Sequence, residues 1–407
     1  MKISIISDLH LGFGQGTEME GDSFEAFSEA LEKSLDCDLI LIGGDMFDTR
    51  IPNTEIFTKA IEILRKSFSK QSDIKFVSGI GKNIGDFPLI KNGIPVIAIS
   101  GNHERRVKGL LNPVQALERA GFLVYLHCNG IVLEKEELAD DLELGKSEKQ
   151  VSRIAIHGMS SVPDQYGEAL LDEWKPKPIE RAFNILILHQ SIAPFLMAQH
   201  LIPMEKIPRS FNLYINGHVH GTAKVEYDGS PFIIPGSLLP TQITKDISKH
   251  SFCKIEIQNG QIKEINFVEL GNQREIFYKE FDGSSVGEVE NFLDGILKKE
   301  RVLKPVIKIV LKDKNFPAKE IEEKYRESAI IYSKKEIEED LKKGDMEIKG
   351  IMERVESVND LGRKLLRENL QKNGLDPQTF ENIFELLENN KVKEAEQILE
   401  KVAIGDK

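Results

Sequence analysis

Lys2-Ile3-Ser4-Ile5-Ile6-Ser7-Asp8-Leu9-His10-Leu11-Gly12 opens the chain with an apolar run that ends in a carboxylate and an imidazole. Residues 2–7 predict a buried strand. Asp8 and His10 follow at i and i+2, and in extended backbone that spacing points both side chains the same way. The pattern then recurs. Leu39 to Ile42 predicts a second strand, followed by Gly43-Gly44-Asp45, whose glycines allow a tight turn close to a ligand. Pro95 to Ser100 predicts a third, followed by Gly101-Asn102-His103-Glu104. Further strands are expected near 153–156, 184–188 and 211–216. His189 follows the second of these, and Gly217-His218-Val219-His220 follows the third.

Helices are expected between these strands at 23–35, at Thr54 to Phe68 and at Pro113 to Ala120. Alternating strands and helices argue for an α/β layered fold. Ala223 to Tyr227, Pro231 to Ile234 and Phe252 to Ile257 read as consecutive strands, an antiparallel portion closing a first domain at about residue 270. Residues 271–333 restart the alternation and predict a small α/β capping domain. Residues 334–349 are charge-rich and read as a linker, and residues 350–407 as a helical tail. In the tail Leu365 and Leu366 share one apolar face, and Phe380, Ile383, Phe384 and Leu387 follow helical spacing on another.

With 407 residues, 40% of them hydrophobic, the chain is long enough for two or three domains with sizeable cores. The net charge of −12 runs against a basic nucleic-acid binder, although a local basic patch can still hold phosphates. Cys37, Cys128 and Cys253 form no C-x-x-C pair and argue against a disulfide framework. No signal-peptide pattern and no long apolar run is present, so a cytoplasmic, soluble protein without a membrane is expected.

Five strand ends thus each deliver one or two metal-competent residues, and in open α/β sheets sites form at the carboxyl ends of strands. Asp8, His10, Asp45, Asn102, His189, His218 and His220 make seven candidate ligands. Seven are too many for one tetrahedral ion and fit two ions sharing a carboxylate, for which Asp45 is the natural bridge. Imidazoles mixed with carboxylates and an amide oxygen suit manganese, iron or zinc better than calcium or magnesium. Such a pair of ions activates water against a phosphate. His103 beside them either stabilises developing charge or protonates the leaving alkoxide. Taken singly each motif is bland: Asp-x-His is ordinarily a surface turn, and Gly-x-His-x-His suits a structural zinc fragment. The argument rests on the set. His157 follows a strand without a partner and reads as structural, and His127, His200 and His250 receive no role. Arg50, Lys82, Arg105, Arg106 and Lys108 lie near the motif loops as candidates for DNA phosphates, with a solvated surface cluster as the alternative.

The set Asp8-Leu9-His10-Leu11-Gly12, Gly43-Gly44-Asp45-Met46-Phe47-Asp48, Gly101-Asn102-His103-Glu104, His189-Gln190-Ser191 and Gly217-His218-Val219-His220 resembles the calcineurin-like metallophosphoesterases. With Pro235-Gly236-Ser237 it is similar, more finely, to the Mre-eleven/SbcD nucleases of DNA double-strand-break repair. The resemblance implies two sheets flanked by helices, a cap that steers DNA, and two manganese ions. One ion would be held by Asp8, His10, Asp45 and His220, the other by Asp45, Asn102, His189 and His218. His103 would be the catalytic histidine of a 3'-5' exonuclease and single-strand endonuclease. The resemblance further implies a homodimer formed through helices near 54–68 and 111–120. It also implies a Rad-fifty/SbcC-type ATPase partner gripped by the tail, acting on double- and single-stranded DNA at the nucleoid. Two positions depart from the common pattern. Glu104 stands where most relatives have Asp, and is expected to orient His103. Asp48 stands where many relatives, notably the eukaryotic branch, have His; the SbcD branch resembles this chain there.

Two rivals share the core. One is a protein phosphatase or cyclic-nucleotide phosphodiesterase: a serine/threonine phosphatase would show a Gly-Asp-x-Val-Asp-Arg-Gly run, whereas Asp45 is followed by Met46-Phe47-Asp48-Thr49-Arg50, and the tail has no job in a small phosphatase. A non-catalytic scaffold would tend to lose metal ligands, and this chain keeps them all.

Overall fold

The computed structural model describes residues 1–86, 93–106, 109–141, 146–196, 200–241, 243, 250–282, 285–312, 316–335 and 379. Most of the linker and, apart from Thr379, the whole expected tail lie outside the described residues, as does Lys108. So do the tail positions Leu365, Leu366, Phe380, Ile383, Phe384 and Leu387. Met1–Lys335 form one compact unit.

Along that unit run β1 (Lys2–Ile6), α1 (Asp22–Lys33), β2 (Leu39–Ile42), α2 (Thr54–Leu64), β3 (Ile74–Ile80), β4 (Val96–Ala98), α3 (Pro113–Arg119) and β5 (Val124–Tyr125). There follow β6 (Asn129–Asp141), β7 (Lys146–Met159), α4 (Asp164–Trp174), β8 (Phe183–Leu188), β9 (Leu213–Asn216), β10 (Ala223–Tyr227), β11 (Ser230–Ile234), β12 (Ser251–Gln258) and β13 (Gln261–Glu269). The last stretch holds β14 (Ile276–Phe281), α5 (Val286–Leu297), β15 (Val306–Leu311), α6 (Ala318–Tyr325) and β16 (Ile330–Lys335).

Two sheets stack face to face. One has the order β13-β12-β1-β2-β4-β5, the other β10-β11-β9-β8-β7-β6-β3. Alternation along β1 sends Ile3 and Ile5 between the sheets, where they meet Ile154, Ile156, Ile185, Ile187 and Ile215. Ile6, Ile40 and Ile42 face outward and are covered by Phe27 and Leu31 of α1, Ala60 and Leu64 of α2 and Leu117 of α3. On the far side Leu186, Leu188 and Tyr214 pack under Leu171 of α4. Burying each such side chain contributes roughly 1.5–3 kcal/mol, so the four-layer stack follows from strands apolar on both faces.

The expected antiparallel portion at 222–257 is divided between the two sheets. β10 and β11 form a hairpin whose second strand runs parallel to β9, while β12 pairs antiparallel with β1 and β13. Helix α2 stops at Leu64, and a 3-10 turn continues over Arg65–Ser69 in place of the expected run to Phe68. Residues 276–335 build a separate parallel sheet, β14-β15-β16, with its own core around Phe281, Leu293, Ile309 and Ile321. It is tied to the first sheets by Arg274, bonded to Asp22 Oδ2 and the Glu18 carbonyl, and by Lys304 to Glu18.

Candidate metal centre

The strand order decides where the ligands meet. β1, β2 and β4 are parallel neighbours in one sheet, and β8 and β9 in the other, so five carboxyl ends open on one rim. Beyond the first two strands the backbone stays paired. Asp8 N–H donates to Gly44 O (3.0 Å), His10 N–H to Asp45 O (2.9 Å) and Leu11 N–H to Met46 O (2.9 Å). Four candidate ligands sit in the left-handed region, Asp8 at φ +52°, His10 at +45°, Asp45 at +47° and His218 at +74°. That conformation costs non-glycine residues about 1–2 kcal/mol each and here turns the side chains toward one point. Gly44 and Gly101 allow the close approach. A β-carbon on Gly44 would lie 2.3 Å from His189 Nδ1, and one on Gly101 1.9 Å from Asp45 Oδ1.

Three groups of side chains converge, each with ligand atoms within 4.8 Å of one another: Asp8–His10–His220, Asp45–His189–His218 and His10–Asp48–His103. His10 Nε2 and His220 Nε2 face each other at 3.3 Å. His220 Nδ1 shares a hydrogen bond with Thr241 Oγ1 (2.8 Å), whereas His10 Nδ1 lies 3.3 Å from Asp48 Oδ1 without a well-formed hydrogen bond. His189 Nδ1 donates to the Gly43 carbonyl (2.7 Å), which leaves Nε2 facing Asp45 Oδ2 at 3.2 Å and Asn102 Oδ1 at 3.3 Å. Such crowded acceptors are reconciled by a proton or by a cation, and oxygen and imidazole donors of this kind suit divalent metals. The residues therefore fit the group that the motifs imply.

The electrostatics point the same way. Burial alone would raise Asp45, but the His189 charge and hydrogen bond outweigh it and hold the carboxyl well below the usual range. Burial also opposes protonation of His189, yet Asp45 lifts it to about 9. Asp8 is pushed up to about 6, by burial first and by Asp45 against the opposing His189. His218 and His220 are pushed down to about 4, chiefly by burial.

His103 is partly exposed, and its backbone N–H donates to Asp45 Oδ1 (2.9 Å). Its Nδ1 donates to the Asp48 carbonyl (2.9 Å) and lies 3.6 Å from Asp48 Oδ1. Orientation of this histidine thus comes from Asp48, where the sequence suggested Glu104. Glu104 is fully buried and braces two loops, accepting from Phe47 N–H (2.7 Å) and Gly101 N–H (2.8 Å). Burial, with Asp45 adding, pushes its carboxyl up to about 8.

Several residues play supporting roles that the sequence reading did not assign. Ser237 Oγ donates to the Asp8 carbonyl (2.9 Å) and Ser237 N–H to the His220 carbonyl (3.0 Å), so the Pro-Gly-Ser run positions two ligands. Asp48, noted in the sequence only as a departure from the family pattern, lies three residues after Asp45, whereas nothing local marks Thr241. Of the candidate DNA contacts, Arg105 is half-buried, with Arg50, Asp164 and Asp45 as its charged neighbours, and burial depresses it first. Arg106 is half-buried too. Lys82 is paired with Glu118 at 3.1 Å. His157 is buried against Phe211, and no described helix is long and apolar enough to cross a membrane.

The family model for calcineurin-like phosphoesterases matches residues 1–222. The chain is 25% identical over 377 residues to the DNA double-strand break repair protein Mre11 of Methanopyrus kandleri, covering 86% of this chain and 75% of that protein. It is 28% identical over 276 residues to the double-strand break repair protein MRE11 of Rattus norvegicus, covering 61% of this chain but 38% of the rat protein. Among solved structures it is similar to GAP50, the anchor in the inner membrane complex of Plasmodium, at a TM-score of 0.36 and 12% identity, over 67% of this chain and 90% of that one.

Proposed function

Because this chain belongs to the calcineurin-like phosphoesterase family, we propose that it is a manganese-dependent DNA nuclease that hydrolyses phosphodiester bonds at a two-metal centre. The observation that carries this reading is the pair of ligand groups, Asp8–His10–His220 and Asp45–His189–His218, on one rim. In it Asp8, His10, Asp45 and His220 would hold one ion, and Asp45, Asn102, His189 and His218 would hold the other. When bound, two divalent cations supply Lewis-acid activation of water and neutralise charge on the phosphate.

The chain's own groups do the rest. Because a carbonyl only accepts, His103 Nδ1 carries its hydrogen toward Asp48 O, and Nε2 is the atom that exchanges a proton. An imidazolium there donates from Nε2 to the leaving alkoxide. Arg50 and Arg105, near enough to repel one another, suit an anion between them, and a flanking DNA phosphate supplies it. Arg106 and Lys108 extend that patch, and Lys82 joins it on releasing Glu118.

The Mre11 relatives support a part in double-strand-break repair, with 3'-5' exonuclease and single-strand endonuclease action the expected forms. Residues 271–333 are assigned to steering DNA, and residues 350–407 to binding a Rad50-type ATPase through Leu365, Leu366, Phe380, Ile383, Phe384 and Leu387. A homodimer through α2 and α3 would cover Leu110 and Leu111, which are 52% and 41% exposed.

Labelled single- and double-stranded DNA, incubated with manganese, magnesium or chelator, tests the activity. Cleavage with manganese that chelator abolishes is expected. Hydrolysis confined to phosphomonoesters or cyclic nucleotides would replace the nuclease with the phosphatase or phosphodiesterase reading, and no hydrolysis at all with the scaffold.

A further inference from the structure

We infer that Asp164, outside every ligand loop, is a positioning residue that fixes which nitrogen of His218 faces the metal. The inference rests on the metal reading above. Asp164 is the first residue of α4, and its Oδ1 lies 3.0 Å from Ser191 Oγ. The same hydroxyl lies 3.1 Å from His218 Nε2. Ser191 is buried and cannot drift: Ile202 N–H donates to its carbonyl (2.8 Å), and Gln190 before it is bonded to Asn216 and Ser160.

The direction of the chain follows from donor arithmetic. A carboxylate only accepts, so the single hydroxyl hydrogen of Ser191 goes to Asp164. The hydroxyl then offers His218 only lone pairs, and His218 Nε2 must carry the ring hydrogen. Nδ1 is left as the ligating atom. His10 and His189 follow the opposite rule, with Nδ1 facing an oxygen and Nε2 facing the site. One of the histidine ligands therefore reaches its ion through the other nitrogen, and a helix distant in sequence from every ligand enforces it. Outer partners of this kind typically carry about 10–100-fold in metal affinity.

The test uses the full chain with 15N-labelled histidine. In metal-free parent protein, His218 should be the Nε2–H form. Asp164→Ala frees the Ser191 hydroxyl to donate to the ring, so the Nδ1–H form should gain population. Ser191→Ala should do the same and Ser191→Thr should restore the parent spectrum. Calorimetric titration with manganese alone should show one ion binding about 10–100-fold more weakly in Asp164→Ala and the other unchanged. The thermal midpoint should fall only slightly, since Asp164 is exposed and gives up a single hydrogen bond, to Ser191. An Nδ1–H form of His218 in the parent, or an identical tautomer and identical affinities in Asp164→Ala, overturns the inference. A parent that takes up no second manganese sinks the two-metal reading instead, and the tautomer spectrum still judges Asp164.

Discussion

Adding one methyl group at Gly101 measures how rigidly the centre is held. The backbone there is not left-handed, so Gly101→Ala introduces no dihedral strain, only bulk. The new carbon would lie 1.9 Å from Asp45 Oδ1 and 2.4 Å from both Asp45 Cγ and Asp45 N. Rotating the Asp45 side chain cannot relieve the backbone clash, and Asp45 O is already tied to His10 N–H. Reaching ordinary contact at roughly 3.5–4.0 Å requires the two loops to separate by more than about 1 Å. A misplacement of that size costs on the order of 100-fold in turnover, and overpacking costs about 1–3 kcal/mol in stability. Calorimetric titration with manganese, single-turnover cleavage of labelled DNA and a thermal melt should all report the change. Gly21→Ala, at a position with nothing within 4 Å, serves as control and should match the parent. A Gly101→Ala protein with parental manganese stoichiometry and parental turnover would refute the placement of Asp45 against this loop.

Other expectations follow from the same geometry. His103→Ser should abolish cleavage while shifting stability by less than about 0.5 kcal/mol, because this side chain is partly exposed; persistent cleavage by the purified variant removes its role. Arg105→Gln should weaken DNA binding alike for all sequences and lower the slope of log affinity against log salt by about 0.9, read by fluorescence anisotropy; an unchanged slope takes Arg105 off the DNA path. His157, pushed down to about 4 by burial, titrates below the ordinary 6.5. The unfolded chain then binds the extra proton first, so the contribution is complete above pH 6.5 and is lost as pH falls toward 4, by at most about 3 kcal/mol. His157→Leu should flatten that part of the acid-unfolding profile, and superimposable pH profiles would exclude the effect.

The candidate ligands stand out in the chain because each is a local event, a short apolar strand followed by a carboxylate, amide or imidazole within four residues. Asp8 to His10 and His218 to His220 needed no tertiary knowledge. What the sequence could not reveal depends on distant partners. Thr241 touches His220 and Asp164 reaches His218 through Ser191, and no spacing rule connects them. The ends of β6 and β7, at 134–141 and 146–149, are rich in charged residues with no apolar alternation, so pairing rather than patterning makes them strands. Strands β11 and β12, consecutive in the chain, join different sheets, and sequence order alone does not say which sheet has a free edge. Glu104 was expected at His103 because it is the next residue, and its side chain turned to the loop amides instead.

The left-handed backbone at Asp8, His10, Asp45 and His218 has a consequence for how such a centre is maintained. Glycine would occupy all four positions more comfortably than the residues found there, so selection for stability alone pulls each of them toward losing its side chain. A variant library sorted only for thermal resistance should therefore drift toward inert proteins through these positions first. The carboxylates and imidazoles persist there only as long as catalysis is what is being selected.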